Sequence, residues 1–150
     1  MIRHDLTRKL AFTSMKNLIG LLNEKPPAAD FTPRPLDFAI QVSAAPGFDR
    51  TQYVHHLLLQ KSNGTHSLLI WHEIALDDTS VRPFRRVSQA PPMPVTLRFS
   101  APVIKAAVYD PLKSDRPART FERVDYLALD VPDRVIVVSI GTSAEAQVKH

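Results

Sequence analysis

The feature that most constrains this chain is the dipeptide Asn63-Gly64, which separates two apolar runs, residues 53–60 and 66–73. Asn-Gly is a favoured two-residue hairpin turn because both positions tolerate a positive φ. The pattern therefore predicts an antiparallel hairpin, and the turn fixes which residues face each other. The predicted register pairs Leu59 with Leu68, Leu57 with Ile70 and His55 with His72 on one face, and Leu58 with Leu69, His56 with Trp71 and Gln60 with Ser67 on the other.

Short strand patterns continue through the rest of the chain, with turn-forming residues between them. The chain has 13 prolines and only 4 glycines, which favours strands joined by stiff turns over a helical bundle. We expect an all-β fold, an antiparallel, jelly-roll-like β-sandwich of seven or eight strands. The predicted strands are 36–43, 53–60, 66–73, 94–99, 102–109, 121–129 and 134–140, with 81–87 as a candidate eighth.

One helix is predicted before the strands, over residues 5–23, and Pro26-Pro27 ends it. Segment 1–35 is then a helix with a Pro-rich connector, and 36–150 is the β-sandwich domain. The helix has apolar residues on two sides, and a lone sandwich covers only one of them. One interpretation is burial of the helix against both the sheet and a loop. The other is a missing neighbour, either a partner domain or a second copy bound through the helix. The main stripe is Ala11, Met15, Leu18 and Leu22, widened by Phe12 and Ile19, and the second side is Leu6, Leu10 and Leu21.

Composition excludes several classes of protein. The absence of cysteine excludes a disulfide scaffold, a cysteine-ligated zinc site and a thiol nucleophile. The formal charge is +4, but the basic residues are scattered, so we expect no nucleic-acid binding. The apolar runs are far shorter than the ~20 residues that span a bilayer, so no membrane association is expected. The N-terminus has no signal-peptide pattern, and the sequence itself leaves the localisation open.

The hairpin region from His55 to Glu73, HHLLLQKSNGTHSLLIWHE, resembles a pattern found in glycoside hydrolases. It is similar to the hairpin LLLQK-x-(D/N)-G-T…L-x-(L/I)-W of the C-terminal β-sandwich that follows the catalytic (β/α)8 barrel. Phe31-Thr32-Pro33 with Leu36-Asp37-Phe38 resembles the entry into that sandwich, and Val108-Tyr109-Asp110-Pro111 resembles one of its strand ends. The helix at 5–23 then resembles the last barrel helix.

The resemblance implies a function without catalysis. A complete barrel takes roughly 250 residues, and this chain has room for only one of its helices. The catalytic carboxylates of those enzymes belong to the barrel, so none is carried over here. The implied protein is an accessory module that packs on a catalytic domain or partner, touches glycan and needs no cofactor. The family also implies an extracellular location.

Three acidic residues, Glu73, Asp77 and Asp78, follow the hairpin and support an alternative, a small stand-alone glycoside hydrolase. Glycoside hydrolysis needs two carboxylates about 5 to 10 Å apart across a sugar site. The competing interpretation is a solvated loop whose acids cap turns.

The predicted register opposes His55 and His72, which makes them the best candidates for a metal site, with Glu73 or Asp78 as a third ligand. Such a site would support a second form of the alternative, a small metal-dependent carbohydrate-active enzyme. Opposed cross-strand residues have Cβ atoms about 5 Å apart, which suits two imidazoles on one ion. The competing interpretations are a hydrogen-bonded pair or two unrelated histidines, and no complete ligand set is visible.

Trp71 and Tyr53 are the candidates for contact with glycan, because an aromatic face offers an apolar surface to sugar C–H groups. The competing interpretation is that Trp71, which is mid-strand, packs in the core of the sandwich.

Overall fold

The computed structural model describes residues 9–24, 31–43, 51–73, 77–78, 85–86 and 91–142. It confirms an all-β, antiparallel chain with one helix. The predicted residues 5–8 of the helix, and most of the candidate strand 81–87, lie outside the described residues. The elements are α1 (Leu10–Leu22), β1 (Phe38–Val42), β2 (Val54–Gln60), β3 (His66–His72), β4 (Asp77–Asp78), β5 (Arg85–Arg86), β6 (Met93–Tyr109), β7 (Arg119–Val131) and β8 (Ile136–Gly141), with a short 3-10 turn at Thr51–Tyr53.

Six strands form one curled sheet in the order β1-β6-β8-β3-β2, with β7 also paired to β6. Strands β4 and β5 make a separate two-stranded pair. The sheet curls because β6 bends within its length. Its first half pairs with β1, its second half pairs with β8, and β7 accompanies both halves. No helix within the described ranges is long and apolar enough to cross a membrane.

The bend in β6 is a bulge between Arg98 and Val103, where β6 has extra residues opposite β7. Pro102 lies in the bulge and cannot donate to the ladder. On β7, the Arg119 side chain donates from Nη1 to Ala128 O at 3.3 Å, which joins the two ends of the bent strand. The predicted strands 94–99 and 102–109 are therefore two arms of one strand, and the prediction of separate strands is wrong.

The core lies on the concave side of the curled sheet. Alternate residues of β3, β6, β7 and β8 point into it, as the period of a half-buried strand requires. The buried cluster consists of Leu68, Ile70, Met93, Val95, Leu97, Phe99, Val103, Ala106, Val108, Leu127, Leu129, Val131, Ile136, Val138 and Ile140.

The β2–β3 hairpin is present, but its predicted register is wrong by one residue. Gly64 has φ +82° and donates its N–H to Lys61 O, while Lys61 N donates to Thr65 O, so the loop has three residues. A turn followed by a left-handed glycine is the usual three-residue hairpin, in which Asn63 keeps a negative φ. A slip of one residue moves each side chain to a new partner. The observed pairs are Val54 with His72, His55 with Trp71, His56 with Ile70, Leu57 with Leu69, Leu58 with Leu68, Leu59 with Ser67 and Gln60 with His66.

Arg123 of β7 has φ 51° and lies just beyond the position of the β6 bulge, between Glu122 and Val124, which pair with Lys105 and Val103. A left-handed conformation costs a residue with a Cβ about 1–2 kcal/mol, more than glycine loses in chain entropy. We expect Arg123→Gly to raise the free energy of unfolding by about 0.5–1 kcal/mol in urea denaturation. Arg123→Ala removes the same side chain and keeps the strain, so it serves as the control. An equal gain from both variants would contradict the strain argument.

Helix α1 lies on the outer face of the sheet, which is the face away from the core. Polar bonds attach it at two points. Asn17 Nδ2 donates to Pro111 O at 2.9 Å. At the helix C-terminus, Lys61 Nζ donates to Leu21 O at 2.7 Å and to Asn23 O at 3.2 Å. A cation at the last carbonyls of a helix also offsets its dipole. These bonds hold α1 over the strands.

Candidate functional site

Most of the large exposed hydrophobic side chains in the described chain belong to two elements, helix α1 and the outer face of β2. Of six such residues in the described chain, five are there, and the sixth is Tyr126 of β7. We call these five the docking face. It consists of Leu10 (68% exposed), Met15 (47%), Ile19 (60%), Leu57 (48%) and Leu59 (38%).

The orientation of α1 explains why its apolar residues are exposed. Asn17 is bonded to Pro111, and Leu21 lines a cleft above the strands, so this side of the helix faces the sheet. Met15 and Ile19, one helical turn apart, point away from it. The helix does have two apolar sides, but Met15 of the predicted main stripe is exposed, whereas Leu21 of the second side faces the sheet. Hydrogen bonds from polar side chains set this orientation. The periodicity of apolar residues therefore could not predict which side of the helix faces the sheet.

Trp71 lies on the outer face, where its ring is stacked on that of His55 with centroids 5.7 Å apart and planes inclined by 32°. His55 Nε2 is in turn 3.7 Å from Glu73 Oε2. The Trp71 side chain is half-buried, so it is neither fully exposed nor packed in the core. Tyr53 packs against the core cluster instead. The two aromatic residues predicted to contact glycan therefore do not form one platform.

Of the three acidic candidates, only Glu73 has a side chain that the structure describes. Glu73 is exposed and its carboxylate contacts His55. Asp77 and Asp78 form β4, and their backbones pair with Arg86 and Arg85 of β5. The positions of these two aspartate side chains lie outside what the structure describes, so a catalytic role for the cluster remains a prediction.

The predicted histidine pair is not formed. His72 points into the core, where it is 1% exposed, whereas His55 lies on the outer face, because the hairpin is shifted by one residue. Within the described ranges there is no group of three or more His, Cys, Asp or Glu side chains that could hold a metal ion.

His72 is unusual because it is a buried imidazole whose Nδ1 and Nε2 both lack a well-formed hydrogen bond to the described residues. Burial lowers the pKa of His72, although the charge of Asp133 and the nearby Pro91 backbone act in the opposite direction. The other buried histidine, His66, is better satisfied, since its Nε2 is 2.9 Å from Arg34 O. The net effect keeps the ring of His72 neutral at pH 7.

A cleft of about 360 Å³ lies between α1 and the outer face of the sheet. Its floor is made of small side chains, including Ser67, Ala107 and Ser139, and Gly20 and Leu21 form the helical wall. Tyr109 closes one side, and burial raises the pKa of its hydroxyl. Sequence reasoning missed this cleft. The available signal was the set of small residues on three strands, but their alignment depends on long-range pairing.

A second cleft, of about 570 Å³, is lined by three carboxylates, those of Asp110, Asp130 and Asp133. Arg134 binds Asp110 through Nε at 3.3 Å and Nη2 at 2.8 Å, and its Nη1 is 4.0 Å from Asp133. Burial alone would raise the pKa of Asp110, but the hydrogen bond and charge of Arg134 outweigh it and lower this pKa. Two of the three carboxylates are thus ion-paired, which is typical of a structural contact.

No protein-family model, curated protein or solved structure matches this chain.

Proposed function

We propose that this chain is a non-catalytic accessory β-domain that packs on the catalytic domain of a carbohydrate-active enzyme. In this proposal the curled sheet is a β-sandwich of jelly-roll type, and α1 is the element that meets the catalytic domain. The observation that carries the proposal is the docking face, which puts five of the six large exposed hydrophobic residues of the described chain on α1 and β2. The glycoside hydrolase resemblance of the hairpin supplies the class of partner.

The energetics favour covering this face. Full burial of a leucine-sized side chain contributes about 1.5–3 kcal/mol, and Leu10 and Ile19 retain 68% and 60% of their exposure. A partner that covers them gains much of this free energy, and exposed apolar surface of this kind favours association. When the catalytic domain is absent, a second copy of the chain provides the same cover, most simply as a two-fold dimer.

The chemistry of the clefts also favours a non-catalytic role. Among the described residues, no carboxylate lines the cleft beneath α1, although a glycosidase needs two across its sugar site. In the second cleft, Asp110 and Asp133 both contact Arg134.

We expect the isolated chain to form a dimer at high micromolar concentration, and Met15→Glu/Ile19→Glu to convert it to a monomer. Two charges in an apolar interface lose hydration without gaining partners. The measurement is light scattering on a size-exclusion column, with circular dichroism to show that the β signal persists. Tyr126→Glu is the matched control, since Tyr126 is exposed outside the docking face and its substitution should leave the dimer intact. A wild-type chain that is strictly monomeric would contradict the proposal.

A further inference from the structure

We propose that the cleft between α1 and the outer face of the sheet binds a single sugar ring of a glycan. The choice of a sugar rests on the proposed association with carbohydrate-active enzymes, whereas the site itself rests on the geometry of the cleft. Neither Trp71 nor Tyr53, the glycan candidates of the sequence, lines it.

The first argument is a set of hydroxyl groups without a hydrogen-bond partner among the described residues. Thr65, Ser67, Tyr109 and Ser139 all line the cleft. None of their hydroxyl oxygens forms a hydrogen bond with another described residue. Each hydroxyl offers one donor and two acceptor positions, which matches the alternating donors and acceptors of a sugar. Ser67 is only 3% exposed, so a ligand that replaces water there makes bonds that are well shielded from solvent.

The second argument is the shape of the cleft. Its volume of about 360 Å³ is at the lower end of the about 300–1,000 Å³ typical of ligand pockets, which suits one ring. The small side chains of Ser67, Ala107 and Ser139 let a ligand approach the strands closely. The ring of Tyr109 and the side chain of Leu21 supply apolar walls for the C–H faces of a sugar.

The third argument is that the cleft is held open. The bonds of Asn17 and Lys61 attach α1 at two points, and the stretch between them includes Gly20, which lines the cleft. A Cβ built on Gly20 meets no atom within 4 Å, so the space beside the helix is not filled by packing. A preformed cleft requires little reorganisation on binding.

The test is a titration of the ¹⁵N-labelled full chain with the methyl glycosides of glucose, mannose, galactose, N-acetylglucosamine and glucuronate, followed by NMR. We expect at least one glycoside to shift the amides of Ser67, Ser139 and Gly141 with a Kd on the order of 1 mM. Ala107→Leu fills the floor of the cleft and should weaken binding at least about tenfold. Gly20→Leu fills the cleft from the side of the helix. Because leucine has a higher helix propensity than glycine, this variant is the alternative test if Ala107→Leu fails to fold.

Two further variants separate this proposal from its alternatives. Ser67→Ala/Ser139→Ala should weaken binding by about tenfold because it removes two hydrogen-bonding groups. Trp71→Ala should leave the affinity within about twofold, since Trp71 does not line the cleft. Met15→Glu/Ile19→Glu should bind the glycoside with unchanged affinity. Failure of the docking proposal and failure of the sugar-binding proposal can therefore be distinguished. Absence of cleft shifts with every glycoside, or binding that disappears only with Trp71→Ala, would overturn the proposal.

Discussion

Replacing Asp110 by alanine should lower the free energy of unfolding by about 2–3 kcal/mol. The Asp110 side chain is only 13% exposed, and its loss leaves the guanidinium of Arg134 without its main partner. The variant also loses the bond from Leu112 N to Asp110 Oδ1, at 3.2 Å, which shapes the turn after β6. Urea denaturation monitored by circular dichroism measures the change.

Two control variants divide this effect into its parts. Asp110→Asn keeps an oxygen for Leu112 N and loses the charge, so it should fall between wild type and alanine. Lys113→Ala removes a lysine that is 75% exposed and 3.7 Å from the same carboxylate, and should cost less than about 0.5 kcal/mol. Equal losses from Asp110→Ala and Lys113→Ala would show that the buried contact with Arg134 is not the source of stability.

His72→Leu should raise the free energy of unfolding by about 1–3 kcal/mol at pH 7, because it replaces a buried ring whose two nitrogens lack a well-formed hydrogen bond to the described residues. A leucine of similar size contacts the same core and needs no hydrogen bond. Thermal unfolding at pH 7 measures the gain, and a lower melting temperature would indicate that the ring is bonded in solution.

The same histidine makes stability depend on pH. Because burial lowers the pKa of His72 below 6.5, the unfolded chain binds a proton that the folded chain excludes. Its contribution to stability is therefore complete above pH 6.5 and is lost progressively as the pH falls from there towards the folded-state pKa. His72→Leu should flatten this part of the profile. The control is His56→Leu, at an exposed position of β2, and a profile that His56→Leu flattens equally would contradict the assignment to His72.

The fold class could be predicted from the sequence because period-two patterns and turn residues act locally. The register of the hairpin could not. Asn63-Gly64 fits both a two-residue and a three-residue loop, and only the pairing of Lys61 with Thr65 distinguishes them. That single shift separated His55 from His72 and placed His55 beside Trp71.

The candidate site was harder to predict because it depends on contacts between distant parts of the chain. The two apolar sides of the helix were visible as a pattern, but the side that faces the sheet is set by bonds from Asn17 to Pro111 and from Lys61 to Leu21. The cleft likewise depends on Ser67 lying opposite Ser139, and Ser139 opposite Ala107. No local pattern encodes either alignment.

The position of β8 in the sheet has a consequence for folding during synthesis. β8 lies between β6 and β3, so the strand pairing that connects the β2–β3 hairpin to the rest of the described sheet runs through a strand that is made late. A nascent chain that ends before Ile136 can form the two hairpins, β2–β3 and β6–β7, but it lacks the strand that pairs with both. The apolar side chains that β8 contributes to the core, such as Val138 and Ile140, are then missing until that strand leaves the ribosome. This order of synthesis makes the incomplete chain the species most exposed to aggregation.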